Sequence, residues 1–282
     1  MDKKLNLIKS IALCVIAFCM AVAGYLFWEH RNYKEPVVVS EYITEVKKLS
    51  DYFDGVKGTV NDCNVYIFDS GVEGGTFLIW GSTHPEEPAG VMAASLMVEN
   101  LKVTQGKVII IDRENNSAST NTRVGEAYPR FFTYETDWGT KVWRFGDRHA
   151  NQLDSWPDPE VYIHYPSVDI RNTNRNWPGK ANGLLTERTN YAVMQLIEQE
   201  GVDMTLDLHE AELEYTVENT IVVHEKGQSV AAMVSMDLTA NTFDVPVGME
   251  FSPTALHGLC HREVGDWSDA APYLVEVAEH ML

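Results

Sequence analysis

The chain alternates short apolar runs with helical segments, and this alternation limits its fold more than any other feature. The apolar runs are rich in β-branched or aromatic residues, as is typical of buried strands. Strands are predicted at residues 65–68, 76–80, 108–111, 204–208, 220–223 and 272–277, and helices at 88–101, 185–200 and 228–240. The pattern predicts an α/β fold, a three-layer α/β/α sandwich in which helices cover both faces of a mixed, largely parallel sheet.

An apolar segment precedes this domain. Residues 11–28 form an uncharged run of 18, close to the roughly 20 residues that a helix needs to cross a bilayer. Three lysines precede the run, which favours a cytoplasmic region at 1–10 and a transmembrane signal anchor at 11–28. A signal peptide cleaved after Ala21-Val22-Ala23 is the alternative, but the run continues to Trp28, which favours the anchor. Either interpretation places the following domain outside the cytoplasm, anchored to the membrane or secreted.

Residues 29–55 are expected to form a polar stalk and then an amphipathic helix. The helix is predicted from Glu41 to Phe53, with Ile43, Val46 and Leu49 at helical spacing. The folded domain is expected to span residues 56–282. Within it, residues 116–168 are rich in aromatic residues, and we interpret them as a long ordered insertion. Such an insertion forms either a lid or substrate wall, or a side cluster that only packs.

Charge and cysteine usage restrict the partners. There are 22 Lys and Arg residues against 41 Asp and Glu residues, a formal net charge of −19. Such an acidic surface repels phosphate backbones, so nucleic acid is not expected as a partner. Cys63 and Cys260 lie outside the apolar run and are candidates for a disulfide in an exported domain, which the sequence alone cannot establish. Neither belongs to a metal-type C-x-x-C pair.

The first chemical motif stands where a predicted strand ends and a helix begins. His84 and Glu87 are three residues apart, so an imidazole and a carboxylate can point at one position. Pro88 suits the first turn of the following helix. In such sheets, ligands bind at the carboxyl ends of the strands. An H-x-x-E pattern alone is common, and its position at this turn is what gives it weight.

A second predicted strand ends on His209, at the same edge of the sheet as His84. This histidine can supply the third protein ligand of a catalytic zinc site, and the alternative is a hydrogen-bonded core histidine. Asp207 lies on the same strand face and is placed to orient a ligand imidazole. Two imidazoles and a carboxylate suit the ligand preference of Zn²⁺. We therefore predict a Zn²⁺ site formed by His84, Glu87 and His209.

Two further elements carry charged groups suited to amide chemistry. Asn174 and Arg175 lie in a polar stretch, where a guanidinium can bind a substrate carboxylate through two parallel hydrogen bonds. Arg171 is predicted to stabilise the oxyanion of a tetrahedral intermediate. Glu276 stands alone in an apolar strand, where a carboxylate is costly to bury unless it is paired or functional, and it is predicted to be the general base. Glu279 is the second choice, and a strand glutamate facing solvent is the alternative.

Together these elements resemble the zinc carboxypeptidase superfamily over about residues 60–280, and most closely its succinylglutamate desuccinylase and aspartoacylase branch. An H-x-x-E pair, an Asn-Arg pair, a separate histidine and a late glutamate occur together in that superfamily. The matching residues here are His84 with Glu87, Asn174 with Arg175, His209 and Glu276. The resemblance implies a zinc-dependent hydrolase that uses metal-activated water to cleave an amide bond in a carboxylate-bearing substrate, such as an N-acyl amino acid.

The chain departs from this branch in two ways. Pro85-Glu86 stand where the branch usually has Gly-Asn or Gly-Asp. The C-terminal β-domain of the small-molecule deacylases and the helix after the base strand are missing, which suggests a truncated form. Two alternatives therefore remain open. One is a zinc carboxypeptidase acting on peptides, for example cell-wall peptides, and the other is a catalytically silent, membrane-anchored binding protein.

The sequence contains one other candidate metal pair. His257 and His261 are four residues apart and would form a second metal pair if they lay on one helix, although the H-E-x-x-H glutamate is missing. Alternatively they line the pocket, as Arg262 could. A serine hydrolase is not supported because the sequence has no G-x-S-x-G elbow.

Overall fold

Strands and helices alternate along the chain as the sequence predicts. The computed structural model describes residues 2–121, 129–137, 139–155, 168–213, 215–241 and 246–278. The helices are α1 (Asp2–Asn32), α2 (Pro88–Asn100), α3 (Asn116–Ser119), α4 (Gln152–Ser155), α5 (Leu185–Glu200), α6 (Gln228–Asn241) and α7 (Cys260–Trp267). The strands are β1 (Glu45–Lys48), β2 (Asn64–Asp69), β3 (Thr76–Trp80), β4 (Lys107–Ile111), β5 (Phe131–Thr136), β6 (Gly139–Arg144), β7 (Met204–Ala211), β8 (Thr220–Val223), β9 (Gly248–Phe251) and β10 (Ala271–Ala278).

Eight of these strands form one mixed sheet in the order β1-β2-β4-β3-β7-β10-β8-β9, and β5 pairs with β6 in a separate hairpin. The central strands β4, β3, β7 and β10 run parallel. The pairs β1/β2, β2/β4 and β8/β10 are antiparallel. The prediction of a mixed, largely parallel sheet is therefore confirmed. Its parallel centre places the carboxyl ends of β3 and β7 at one edge, where ligands bind in such sheets.

Helices cover both faces of the sheet, as expected for three layers. On one face, α5 and α7 contribute Leu196 and Val264 to a core that includes Trp80, Ile111 and Leu274. On the other face, α2 packs on β2 and β4, and α6 packs on β8 and β10. Alternate residues of each strand enter opposite cores because successive strand side chains point to opposite faces. The three-layer α/β/α prediction is confirmed.

The predicted amphipathic helix over residues 41–53 is wrong. The structure has strand β1 there, followed by two short 3₁₀ turns, Leu49–Asp51 and Asp54–Val56. Strand β1 pairs antiparallel with β2, which would otherwise present a row of unpaired backbone groups at the edge of the sheet. Leu49 is fully buried while Val46 is half exposed. Pairing with a distant strand thus overrides the helical spacing of the apolar residues.

The predicted stalk is docked against the domain. Helix α1 continues to Asn32, and its end contacts the insertion: Arg31 forms a 2.5 Å ion pair with Asp154. The Tyr33 hydroxyl donates to the Val142 carbonyl at 3.1 Å. The described part of the insertion therefore packs on the end of α1. The rest of α1 is exposed, and among the described residues it is the helix that is long and apolar enough to cross a membrane.

Glu35 fixes this docking, and replacing it with alanine is expected to destabilise the protein. Its carboxylate accepts hydrogen bonds from Arg144 Nε and Nη2 at 2.8 and 3.0 Å and lies 3.2 Å from Arg113 Nη1. The Glu35 side chain is 2% exposed. Removing one partner of a buried ion pair leaves an uncompensated charge, so Glu35→Ala should lower the free energy of unfolding by about 3 kcal/mol. Urea unfolding of the full chain, followed by tryptophan fluorescence, measures this.

The effect of Glu35 should depend on pH. Burial alone would raise the pKa of Glu35, but the charge of Arg113 and the hydrogen bonds and charge of Arg144 outweigh it, and the pKa is lowered. The stabilisation is therefore complete above the ordinary Glu pKa of about 4.3 and is lost as the pH falls through the lower, folded-state value. The difference between wild type and Glu35→Ala should narrow in acid. Glu45→Ala, an exposed residue 3.8 Å from Lys47, is the control, and an equal loss in both variants would contradict the prediction.

Candidate metal centre

The metal motif occupies the turn between β3 and α2. The Glu87 N–H donates to the His84 carbonyl at 3.0 Å, which closes the turn. Pro88 is the first residue of α2, where its missing N–H costs nothing. Gly90 allows α2 to approach β7 closely, because a Cβ at this position would collide with the Leu208 carbonyl oxygen. This close packing brings the start of α2 against the strand that carries the third predicted ligand.

His84, Glu87 and His209 converge on one point. A ligand atom from each lies within 4.8 Å of the others. The Glu87 carboxylate lies between the two rings, with Oε1 2.6 Å from His84 Nδ1 and Oε2 2.8 Å from His209 Nδ1. All three residues are buried. Strand β7 continues to Ala211, so His209 lies two residues before the end of its strand instead of at the end.

The outer nitrogen of each imidazole lies next to an oxygen of a neighbouring side chain. His84 Nε2 lies 2.9 Å from Asn172 Oδ1, and His209 Nε2 lies 2.9 Å from Asp207 Oδ2. These contacts orient both rings with Nδ1 toward the common centre, as the outer partners of metal-binding histidines do. The Asp207 contact is the one inferred from the strand pattern. The sequence does not predict the Asn172 contact, although Asn172 belongs to the polar stretch that contains Asn174 and Arg175.

Asp207 is the centre of a buried network behind His209. It is fully buried and accepts hydrogen bonds from the Thr83 hydroxyl at 2.7 Å and the Cys260 thiol at 3.0 Å. Cys260 and Cys63 are both buried and free, so the candidate disulfide does not form. The Cys260 thiol serves instead as a donor to the Asp207 carboxylate, which lies beside the candidate ligand His209.

Without a metal, the charges at the centre favour a carboxylate at Glu87 and a protonated ring at His209, so a bound metal ion would take the place of a proton. Burial alone would raise the pKa of Glu87, but the charges of His84 and His209 outweigh it and the pKa is lowered. Burial would lower the pKa of His209, but the charges of Asp207 and Glu87 raise it well above its ordinary value. Two imidazoles and one carboxylate form the donor set of catalytic zinc sites, which keep a fourth position open. The residues present therefore fit zinc, and in the described part of the chain they are the one group of three or more such residues placed to hold an ion.

Glu276 lies beside the centre. It is the register partner of His209 across the parallel pair β7/β10, so both side chains leave the same face of the sheet. Glu276 Oε2 is buried and has no hydrogen-bond partner among the described residues. Burial raises the pKa of Glu276 to about 7. The charge of His209 lowers this pKa and the charge of Glu87 raises it, each by less than burial does. These properties match a group that exchanges protons near neutral pH. Glu279, the second choice, lies outside the described residues.

A cavity of about 370 Å³ connects these groups. The metal ligands, Glu276, Asn174 and Arg175 all line it. Arg175 is exposed, and its Nη1 donates to the Asn174 carbonyl at 2.7 Å. The Asn174 side-chain oxygen accepts from the Cys260 N–H at 2.9 Å, which ties the start of α7 to the site. A cavity of this size holds a small ligand.

Arg171 is not brought to the cavity. Its Nη1 donates to the Ala150 carbonyl at 2.8 Å, and Arg171 is not among the described residues that line the cavity. The predicted oxyanion role of Arg171 therefore has no geometric support. Arg148, which the sequence did not single out, lines the cavity beside Glu86. No local signal could have found it, because its position depends on how the insertion packs.

The second candidate metal pair is not formed. Helix α7 begins at Cys260, and Gly258 has a left-handed backbone with φ of 85°, so His257 and His261 do not share a helix. The exposed His257 lies 2.9 Å from Glu263. His261 accepts or donates a 2.8 Å hydrogen bond with Ser252 and lines the cavity, which is the alternative considered for it.

Replacing Asp207 with asparagine is expected to weaken zinc binding by about 10- to 100-fold. The amide keeps the shape of the carboxylate but lacks the negative charge that favours the N–H of His209 Nε2 and an available Nδ1. Competition with a fluorescent zinc chelator measures the affinity. Asp203→Asn is the matched control, because Asp203 belongs to the preceding turn and accepts from the Thr76 N–H at 2.7 Å. An unchanged affinity in Asp207→Asn would contradict the assigned role.

Comparisons with known proteins give distant matches to solved structures. An ectoine utilization protein from Ruegeria pomeroyi is 16% identical with a TM-score of 0.47, over 75% of this chain and 52% of that one. A succinylglutamate desuccinylase from Silicibacter is 14% identical with a TM-score of 0.46, over 75% and 52%. A metallo-carboxypeptidase from Burkholderia cenocepacia is 12% identical with a TM-score of 0.48, over 84% and 56%.

The chain thus spans about half the length of the solved structures that it matches. No protein-family model matches it, and no curated protein does. The matching structures include a succinylglutamate desuccinylase, an aspartoacylase family protein and a metallo-carboxypeptidase, which are of the kinds that the motifs resemble.

Proposed function

We propose that this chain is a zinc-dependent hydrolase that cleaves an amide bond in a substrate with a free carboxylate, in the manner of an N-acyl amino acid deacylase. The observation that carries the proposal is the placement of Glu276. Glu276 has a buried carboxylate oxygen with no hydrogen-bond partner in the part of the chain that the structure describes. It lies on the same sheet face as His209 and lines the same cavity as the three candidate ligands. An unpaired buried acid is costly for stability, so a catalytic role accounts for it better than a structural one.

Each residue at the site has a distinct role in this proposal. His84, Glu87 and His209 would hold the zinc, which when bound acidifies water and polarises a carbonyl group. Glu276 accepts a proton from the attacking water at Oε2 and then delivers it to the leaving nitrogen. Arg175 binds the substrate carboxylate with its exposed guanidinium. Asn174 fixes the backbone next to Arg175 through its hydrogen bond with the Cys260 N–H. Asp207 and Asn172 keep the two imidazoles oriented.

Matched substrates test this proposal on the zinc-loaded full chain in detergent. N-acetyl amino acids and short peptides with a free C-terminus are compared with the same compounds carrying a C-terminal amide, and the released amine is measured with fluorescamine. The free acids should be hydrolysed and the amidated compounds should not. The two sets of free acids also separate a deacylase from a carboxypeptidase. Zinc binding without release of amine from any compound would refute hydrolysis and favour a silent binding protein.

We also propose that α1 anchors the protein in a membrane, with residues 1–10 in the cytoplasm and the hydrolase domain outside it. The support is the apolar surface of α1, which is exposed over residues 3–28, and the lysines that precede the apolar run. The intact mass of the mature protein tests the anchor. A mass beginning at Met1 is expected, whereas a mass beginning at Gly24 would show a cleaved signal peptide. Protease treatment of intact cells should degrade a C-terminal tag, and protection of the tag would reverse the orientation.

A further inference from the structure

The end of α1 and the stalk contact the described part of the insertion at two points. At the first, the Glu35 carboxylate accepts hydrogen bonds from Arg144 Nε and Nη2 at 2.8 and 3.0 Å. At the second, Arg31 Nη2 lies 2.5 Å from Asp154 Oδ1. These two contacts fix both ends of residues 144–154, which we call the bracing segment. The end of the candidate membrane helix therefore determines where the bracing segment lies.

The middle of the bracing segment packs on the turn between β3 and α2. The Gly146 N–H donates to the Pro85 carbonyl at 3.4 Å, and a Cβ at Gly146 would lie only 2.6 Å from the Pro85 Cβ. The backbone N–H and Nε of Arg148 donate to the buried Glu86 carboxylate at 3.1 and 2.6 Å. Pro85 and Glu86 are the two residues between the first two candidate metal ligands. The bracing segment thus holds the part of the turn that sets the spacing of these ligands.

We propose that Arg31 and Glu35 are positioning residues of the metal centre, which act through the bracing segment on the β3–α2 turn. Undocking of α1 then weakens zinc binding, because the groups that support metal ligands contribute to the affinity of a site. The turn has a second support, since the Glu210 N–H donates to Glu87 Oε2 at 3.1 Å, so binding is weakened and not abolished. This inference rests on the zinc site of the proposed function, but not on hydrolysis.

Zinc affinity of the full chain in detergent, measured by competition with a fluorescent chelator, tests this inference. Arg31→Ala should weaken binding about tenfold, the lower end of the effect of removing an outer partner of a metal ligand. Lys47→Ala is the matched control, because Lys47 and Arg31 are 29% and 34% exposed and the carboxylate partner of each is 11% exposed. Lys47 pairs with Glu200 away from the cavity, and Lys47→Ala should bind zinc as wild type does. Unchanged affinity in Arg31→Ala, or equal losses in both variants, would overturn the proposal.

A charge reversal distinguishes the ion pair from a general effect on stability. Arg31→Asp and Asp154→Arg should each weaken zinc binding, and the double variant should recover part of the loss. Recovery is expected to be partial because the Ser117 hydroxyl donates to Asp154 Oδ2 at 2.6 Å. Glu35→Ala should also weaken binding, and Glu35→Gln, which keeps an acceptor for Arg144, should restore part of it. If the double variant recovers none of the loss, the role of Arg31 is refuted.

Hydrogen exchange of the metal-free chain, followed by mass spectrometry, needs neither zinc nor substrate. In Arg31→Ala, exchange should be faster than in wild type both in the bracing segment and in the β3–α2 turn, where Gly146 and Glu87 have hydrogen-bonded amides, and unchanged in β8. Faster exchange in the bracing segment alone would show that the turn is held independently, and the inference would fail.

Activity separates this inference from the proposed function. If zinc affinity depends on Arg31 but no amide is hydrolysed, the proposed function fails and the positioning role stands. If amides are hydrolysed and Arg31→Ala binds zinc as tightly as wild type, the hydrolase stands and the positioning role fails.

Discussion

Wild-type protein, loaded with zinc and dialysed, is expected to retain about one zinc per chain, and His84→Ala or His209→Ala should retain none. The reason is the number of ligands. Catalytic zinc sites hold the ion with three protein groups, and each variant leaves only two. Glu87 bridges the two imidazoles at 2.6 and 2.8 Å, so the loss of either ring also removes a partner of the buried carboxylate. Mass spectrometry of the metal content of the full chain in detergent measures the result.

Two controls separate loss of a ligand from loss of the fold. His257→Ala should retain the zinc, because His257 is exposed and pairs with Glu263. Far-UV circular dichroism checks that the variants are folded. His209→Asn is a second variant at this buried position. It removes the imidazole but keeps a polar side chain near Asp207, so it disturbs the fold less than His209→Ala. If the wild type folds without taking up zinc, or if the folded variants retain zinc, the assignment of the metal centre is wrong.

The sequence was sufficient for those parts of the site that depend on strand ends and residue type. Buried strands are short apolar runs, and β3, β4 and β8 fall within a residue or so of the predicted bounds. Because parallel strands end at one edge, the sequence predicts that His84 and His209 meet although they lie 125 positions apart in the chain. Glu276 was found because a lone carboxylate in an apolar strand requires an explanation.

The features that the sequence did not predict depend on contacts between distant segments. Strand β1 forms because β2 offers a free edge, which the helical spacing of residues 41–53 does not reveal. Arg171 is predicted in the site but lies outside it, and Arg148 lines the cavity without having been predicted there, for the same reason. Arg171 lies next to the Asn-Arg motif but donates to Ala150, whereas Arg148 reaches the cavity through Glu86. A residue near a motif in the sequence need not lie in the site, because the packing of the long insertion decides which side chains reach the cavity.

Glu276→Gln is expected to lower kcat by about 1,000-fold, because a positioned general base contributes roughly 10²- to 10⁴-fold. The amide has nearly the same shape as the carboxylate but cannot accept the proton. KM should change little, since Arg175 and the metal ligands remain. Zinc content should be unchanged, because Glu276 is not one of the three converging ligands. Steady-state kinetics on the best substrate of the matched panel, with the metal content measured on the same samples, give both values.

The unfolding temperature of Glu276→Gln distinguishes a catalytic role from a structural one, because the two roles predict changes in opposite directions. A buried carboxylate oxygen that has no hydrogen-bond partner among the described residues costs stability, and replacing a functional residue of this kind commonly stabilises a protein. Glu276→Gln should therefore unfold at the same temperature as wild type or above it, whereas loss of a structural contact would lower the unfolding temperature. Glu279→Gln is the matched control and should keep full activity. If Glu276→Gln retained kcat within tenfold of wild type, or if Glu279→Gln alone lost it, the general base would have to be assigned elsewhere.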